Sequence, residues 1–489
     1  MITRLSEPPI RRVAVIGAGV SGVSTAAHLI AEGLDVTVFE RAPVSGGVWV
    51  LDPNIPFEPA YPAPKASVAE STFYDLTTES DNPHILHSSP GPAYEGLKNN
   101  VPTPLMELSL NSYKPNTDLF VSQRILAEYI QDTAAKTGVA ERTLHDTKVE
   151  HLSKEPGESE WTVRTSTWDH VKKEKSSREW KFDAVAVASG HYHAPKVPNI
   201  PGLVEWKRAF PTKVQHSKRF RNPKGFDNQT ILVIGGSASS TDIARELGPT
   251  AKKIWQSTRK GKYDTPVSML PENATRVAEI ASFSPLPEDI DGSGSGSGPI
   301  PGTVTLVDGQ VLENIDRVIV ATGYLFTLPF APQYHRDDLS PQEADDKVLI
   351  TDGLQMHNLH DDIFYIPDPT LAFVGVPFFV ATFSFFEFQA IAVAAYFAGL
   401  TTLPSEAEMR EEYKKRVEAD GYGKKFHIQQ GRDLEYVSRL MAWVNKDLEP
   451  SKKKTDGYSE KWIATRDALF KEMTKPGGIL HDPSKDEVE

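Results

Sequence analysis

Gly17, Gly19 and Gly22 stand as G-x-G-x-x-G between a short apolar run and a helical pattern. At such a junction the first glycine lets the backbone turn tightly and the second lets a pyrophosphate reach the amides at the helix N-terminus. The third lets helix and strand pack closely. Glu40 follows at the end of the next expected strand, where a carboxylate can accept hydrogen bonds from both hydroxyls of a ribose. A carboxylate there also repels a 2'-phosphate, so the spacing suits FAD or NAD and not NADPH. Ser21 within the turn and Arg41 beside Glu40 are further expected contacts to this ligand. A second glycine turn follows, in which Gly46 and Gly47 can bring amides toward the same pyrophosphate, Val48 joins the contact set and Trp49 forms a packing wall. Val149 completes the expected contacts of the first nucleotide.

A second turn of this kind departs from the rule. Gly235 is in place, but Ser237 and Ser240 stand where the second and third glycines would be. Serine is small enough for close approach and its hydroxyl can bond a phosphate oxygen, although it tolerates positive φ less well than glycine. Arg259, with Lys260 and Lys262 beside it, lies just past the next expected strand, in the place where the first motif has Glu40. A guanidinium there can clamp the 2'-phosphate of NADPH with two hydrogen bonds; an exposed basic cluster with no ligand is the alternative.

The elements that must position these residues follow from periodicity. A strand over 13–16, a helix over 24–32 closed by Gly33 and a strand over 35–39 make one βαβ unit. A strand over 230–234, a helix over 240–247 and a strand over 253–256 make another, and two such units imply two nucleotides. Between them, 149–188 alternates as in antiparallel strands with a charged tip around 172–178, and 182–189 reads as a buried strand. The stretch 52–115 is rich in Pro, Asn and Ser, which marks a functional loop or lid. Helical order is expected over 122–136, and the Gly/Ser alternation over 291–299 reads as a flexible loop. The fold class is therefore α/β, with two dinucleotide-binding, Rossmann-like domains. The NADPH domain (206–327) is inserted into a discontinuous FAD domain (1–205 and 328–489), to which the chain returns because the apolar segment 371–398 needs a large core. The last stretch of about 85 residues reads as charged helices with frayed ends.

A chain of 489 residues is too long for one ordinary core. A formal charge of -13 spread over the chain argues against nucleic acid, which needs concentrated Lys and Arg. With no cysteine, the chain can neither relay electrons from a flavin to a Cys pair nor build a disulfide scaffold. The uncharged run 371–386 is shorter than the roughly 20 residues of a spanning helix and contains Pro377. A cytoplasmic protein without membrane association is expected. No Ser, His and carboxylate set, metal cluster or nucleophile motif stands out.

With these residues in place, the chain resembles the flavin-containing monooxygenases, the FMO-type class B flavoproteins. Their fingerprint F-x-G-x-x-x-H-x-x-x-[YF]-[KR] aligns with Phe210 to Arg221, matching Phe210, His216, Phe220 and Arg221, with Thr212 in place of the glycine. Phe220 stands where the related Baeyer–Villiger enzymes carry Trp. Ala321, Thr322, Gly323 and Tyr324 look like the A-T-G-Y motif that links the two domains, and Gly190, His191 and Tyr192 like the G-H-[HY] turn. Tyr94, Leu97, Asn100, Pro102 and Met106 fit a Y-x-x-L-x-x-N-x-P-x-x-x-M stretch. The resemblance implies FAD and NADPH as cofactors and contacts to them from His216, Thr322 and Gly323. It implies a flavin-facing catalytic role for Asn100 and an approach to the flavin ring by Gln389. It also implies a hydroperoxyflavin that passes one atom of O2 to a soft nucleophile, nitrogen, sulfur or electron-rich carbon, of a small hydrophobic molecule such as a secondary metabolite. A Baeyer–Villiger or N-hydroxylating enzyme, an uncoupled NADPH oxidase and a nucleotide-binding sensor without turnover are the alternatives.

Overall fold

A computed structural model describes residues 9–63, 65–70, 84–287, 298–449, 454–475 and 478. The expected flexible loop at 291–299 and the expected frayed end fall mostly outside the described residues. Strand Arg12–Ile16 lies at the heart of the larger sheet because Val13, Ala14 and Val15 are fully buried, as parallel strands covered on both faces require. That sheet runs Leu359–His360, Phe364–Tyr365, Leu371–Phe373, Ala184–Val187, Arg12–Ile16, Asp35–Phe39, Thr143–Leu144. Its last five strands are mutually parallel, while the first two form an antiparallel edge.

Alternate residues of Arg12–Ile16 feed two cores. Val13 and Val15 pack with helices Val20–Ala31 and Thr382–Phe397, whereas Ala14 and Ile16 pack against Trp161, Val163 and Phe182 of an antiparallel three-stranded sheet. Leu328, Phe330 and Ala331 join this second core, where the chain returns from the insertion. Helix Thr382–Phe397 buries most of its residues, and among the described residues no helix is long and apolar enough to cross a membrane.

The inserted unit is a five-stranded parallel sheet in the order Ala274–Val277, Lys253–Ser257, Thr230–Ile234, Arg317–Val320, Val214–His216. The chain crosses between the units twice, and the crossings pair as antiparallel strands Ala194–Pro195 and Tyr324–Leu325. Two side chains tie the units further. Partly buried Glu58, on the irregular segment, pairs with Arg219 at 3.0 Å and Lys207 at 3.5 Å. Arg221 donates to the carbonyls of Asp52, Asn54 and Gly91 at 3.1–3.3 Å.

Three local expectations shift. Both nucleotide-turn helices begin earlier than their periodicity suggests, at Val20 and Ala238, because the small residues of each turn already form the first helical turn. The charged stretch expected as a hairpin tip is largely strand Glu174–Phe182, held by its ladder to Trp161–Asp169 although most of its side chains are exposed. The segment 52–115 carries the short helices His84–His87 and Thr103–Met106.

Candidate active site

The two glycine turns repeat one piece of geometry. Gly17 has φ +104 and a side-chain carbon there would lie 2.6 Å from the Ala188 carbonyl oxygen. Gly235 has φ +136 and would meet the Ala321 carbonyl oxygen at 2.4 Å. Each therefore needs glycine twice over, for its conformation and for the close approach of the neighbouring strand. Their amides donate alike, to Phe39 O at 2.8 Å and to Ser257 O at 2.9 Å.

Beyond these first glycines the turns diverge. At Gly22 a methyl would fall 1.8 Å from the Gly17 carbonyl oxygen, so the first helix is pressed onto its own turn. Ser240, the counterpart, is fully buried; its hydroxyl donates to Ser237 O at 2.7 Å and accepts from Gln256 Nε2 at 3.0 Å. Ser237 adopts φ -101, ψ -169, extended backbone like that of Gly19 at φ -73, ψ -173, so serine causes no strain there. At Gly19 a side-chain carbon would meet only Gly47, at 3.5 Å. Protein packing does not demand glycine at this position, and open space lies in front of it.

Both turns open onto a single cavity of about 2350 Å³, well beyond the roughly 300–1,000 Å³ of a pocket for one small ligand. Gly17, Gly19, Ser21, Glu40, Arg41, Gly47, Val48, Trp49, Asn100 and Val149 line it from the first unit, and Gly235, Ser237, Arg259, Thr322 and Gly323 from the second and the crossing. Glu40 is buried, and its two carboxylate oxygens accept from the amides of Ala18 at 2.7 Å and Ala42 at 2.8 Å. Each oxygen keeps a lone pair for a ribose hydroxyl. Trp49 packs edge-on to Phe383. Arg259 is exposed and makes no hydrogen bond or ion pair with a described residue.

Gly22, His216, Ser240 and Gln389 are not among the residues that line the cavity. His216, Ser240 and Gln389 each make a hydrogen bond within the fold, although His216 Nε2 is buried without a partner among the described residues. His216 Nδ1 accepts from the Lys218 amide at 3.1 Å, and burial lowers its pKa to about 3, so the ring is neutral. Gln389 accepts from the Gly375 amide at 3.1 Å and donates to Tyr436 at 2.9 Å. Thr212, the departure from the family fingerprint, is exposed, with its carbonyl accepting from Arg317.

Neighbouring asparagines divide two roles. Asn99 is buried, donates to the carbonyls of Val101 and Leu119 and accepts from the Val121 amide, which fixes the loop. Asn100 lines the cavity and makes no hydrogen bond with a described residue.

Arg41, expected as a contact, sits in a cluster whose other members, Glu70, His193 and Lys218, carried no sequence signal. Arg41 pairs with Glu70 and bonds His193 Nδ1 at 2.7 Å, while Lys218 Nζ donates to His193 O at 2.9 Å. Burial opposes the Glu70 charge, but Arg41, His193 and Lys218 outweigh it and hold its pKa at about 2. Burial lowers Lys218 to about 8 and, with Arg41, lowers His193 to about 3. Asp264 packs against Gly236, where a methyl would meet its carboxylate at 2.3 Å, and accepts from the Gly261 amide. Helix Glu460–Thr474, expected only as a charged tail, faces the cavity with Trp462, Arg466 and Phe470.

Comparison with known proteins agrees with this geometry. The chain matches the model of the flavin-binding monooxygenase-like family over residues 94–267 and 301–450, and that of the FAD-dependent oxidoreductases over 12–49. It is 42% identical to flavin-containing monooxygenase ustF2 of Aspergillus flavus, covering 95% of this chain and 98% of that one. It is 31% identical to flavin-containing monooxygenase iboF of Amanita muscaria, with 89% and 88% covered. Among solved structures, S-allyl-L-cysteine S-oxygenase from Allium sativum superposes with a TM-score of 0.68 at 25% identity, covering 94% of this chain and 98% of that one.

Proposed function

The chain belongs to the flavin-containing monooxygenases, and on that premise we propose that it oxygenates a soft nucleophile, nitrogen, sulfur or electron-rich carbon, of a small hydrophobic molecule. Its cofactors are FAD and NADPH. The observation that carries the reading is the shared cavity: both glycine turns, Asn100 and Arg259, which makes no ion pair with a described residue, open onto it. When bound, FAD reduced by NADPH supplies the activation of O2 at carbon 4a of its ring and the transfer of one oxygen atom, the other leaving as water.

The residues fit that pair of cofactors. Gly17, Gly19 and Gly47 leave backbone room for a pyrophosphate at the N-terminus of helix Val20–Ala31, and Glu40 offers a carboxylate to the adjoining ribose. The second turn offers the amides at the start of helix Ala238–Leu247 and the Ser237 hydroxyl, while Arg259 reads the 2'-phosphate that separates NADPH from NADH. In this reading the FAD domain comprises 1–205 and 328–489 and the NADPH domain 206–327, with the paired strands Ala194–Pro195 and Tyr324–Leu325 between them.

Asn100 donates a hydrogen bond at the reacting face, and Trp462, Phe379, Phe386 and Phe470 add apolar surface to the cavity lining for a hydrophobic substrate. A relative named for S-oxygenation of S-allyl-L-cysteine favours thioethers among the candidate nucleophiles. The test is NADPH consumption measured together with peroxide release against thioethers, amines, ketones and indoles. Oxygenated product matching NADPH consumed supports the reading. Peroxide matching NADPH with every compound would mean an oxidase, and no NADPH-driven bleaching of the flavin would mean a protein without turnover.

A further inference from the structure

Three segments far apart in the sequence bring two imidazoles and a carboxylate together at the rim of the cavity. His84 opens the helix His84–His87, Asp146 precedes strand Thr147–Ser153, and His170 follows strand Trp161–Asp169. The Nε2 atoms of His84 and His170 lie 3.2 and 2.9 Å from Asp146 Oδ1, and the two rings are 4.9 Å apart centre to centre. One ligand atom from each of the three residues lies within 4.8 Å of the others. A tetrahedral zinc with bonds of about 2.0–2.1 Å sets its ligand atoms roughly 3.3 Å apart, so small side-chain rotations close the set around an ion.

The carboxylate is held in place before any ion arrives. Asp146 has φ +50; its amide donates to Ala42 O at 3.1 Å, and its carbonyl accepts from the Trp168 amide and from His87 Nε2, each at 2.8 Å. A carbonyl can only accept, so His87 carries its proton on Nε2 and acts as an orienting partner of the carboxylate-bearing turn. His170 is more than half exposed, which leaves a fourth position to water.

We propose that His84, Asp146 and His170 form a binding site for a divalent transition metal of the zinc class. The site is joined to the first nucleotide turn. Ala42, which accepts from the Asp146 amide, donates its own amide to Glu40 Oε1, and the Thr147 amide donates to Glu40 O. An ion here cross-links the turn carrying the ribose carboxylate to the hairpin and to helix His84–His87, and so staples the adenosine end of the FAD site. The sequence hides the cluster because its members are 24 and 62 residues apart, far beyond any metal-ligand spacing motif.

The test begins with the flavin-loaded protein, stripped by a chelator, desalted and dialysed against Zn2+, with bound zinc counted by elemental mass spectrometry. One zinc per chain is expected in the parent, with affinity weakened at least on the order of tenfold in His170→Gln and Asp146→Asn. Co2+ in place of Zn2+ should give visible absorption beyond the flavin bands and quench tryptophan emission, and Trp168→Phe should remove much of that quenching, since Trp168 lies 6.0 Å from the His84 ring. Zinc-loaded protein should release FAD more slowly than stripped protein; equal rates would overturn the stapling role. No zinc in the parent, or equal binding in the parent and both variants, would overturn the site and leave a hydrogen-bonded His–Asp–His network. The parent measurement decides even where a variant fails to fold, and none of these readouts depends on the oxygenation chemistry.

Discussion

Gly19→Ala and Gly22→Ala are the same chemical change three residues apart, and they should fail for different reasons. At Gly22 the new methyl lies 1.8 Å from the Gly17 carbonyl oxygen and 2.8 Å from its carbon. Reaching an ordinary contact requires helix and turn to separate by roughly 1.5 Å, and overpacking of that kind costs about 1–3 kcal/mol or more in the folded chain. At Gly19 the methyl meets only Gly47 at 3.5 Å, an ordinary contact, and the backbone at φ -73 suits any residue. FAD-free Gly19→Ala should therefore match the parent within about 0.5 kcal/mol in urea unfolding. Its FAD affinity should nevertheless fall, because the methyl occupies the approach of the pyrophosphate. Losing one charge-assisted hydrogen bond is worth about 1.5–3 kcal/mol, or roughly ten- to a hundredfold. The assay pairs unfolding of the deflavinated proteins with FAD titration followed by flavin fluorescence. Parent-like FAD affinity in Gly19→Ala would refute the assignment of that space to pyrophosphate. A loss of stability in it as large as that of Gly22→Ala would refute the packing argument.

The remaining predictions probe the other end of the cavity and the fold's response to acid. Arg259→Ala should weaken NADPH by roughly ten- to a hundredfold and NADH hardly at all in binding titrations; equal losses would show that Arg259 does not read the 2'-phosphate. Asn100→Leu should leave flavin reduction by NADPH nearly intact while raising the peroxide released per NADPH consumed, and unchanged coupling would reduce Asn100 to a loop residue. Asn99→Leu, by contrast, strands the carbonyls of Val101 and Leu119 and the Val121 amide and should lower the melting temperature. Burial pushes His87 and His357 down to about 4 and His191, His193 and His216 to about 3. The unfolded chain, whose histidines titrate near about 6.5, binds more protons than the folded one between that pH and about 3. Stability is therefore full above pH ~6.5 and falls as pH drops, by up to about 1.4 kcal/mol per pH unit for each such histidine. Melting temperatures that stay flat from pH 7.5 to pH 5 would contradict this.

What the sequence disclosed was whatever repeats locally with a steric reason. Gly17 and Gly235 were legible because a strand-to-helix turn admits no side chain, and Glu40 and Arg259 because each follows the next strand of its unit and lines the shared cavity. The helix starts were misplaced by a few residues because Val20–Ala31 and Ala238–Leu247 begin inside the small-residue turns, where hydrophobic periodicity has not yet begun. A motif records position along the chain and not the side of a wall a side chain faces. Asn100 and Thr322 line the cavity, whereas His216, Ser240 and Gln389 are not among its lining residues, each already hydrogen-bonded within the fold. Groups assembled from several segments left no local trace. Arg41, Glu70, His193 and Lys218 come together only because the paired crossing strands bring the two units face to face, and His84, Asp146 and His170 only because the hairpin folds back over the first nucleotide turn. The same reasoning explains the C-terminal helix. Trp462 and Phe470 lie eight residues apart on a charged helix without a strong apolar face, and their reason for being there becomes visible only when the helix lies along the cavity, with the Trp462 ring stacked on Tyr458 and its Nε1 donating to Leu105 O at 3.3 Å.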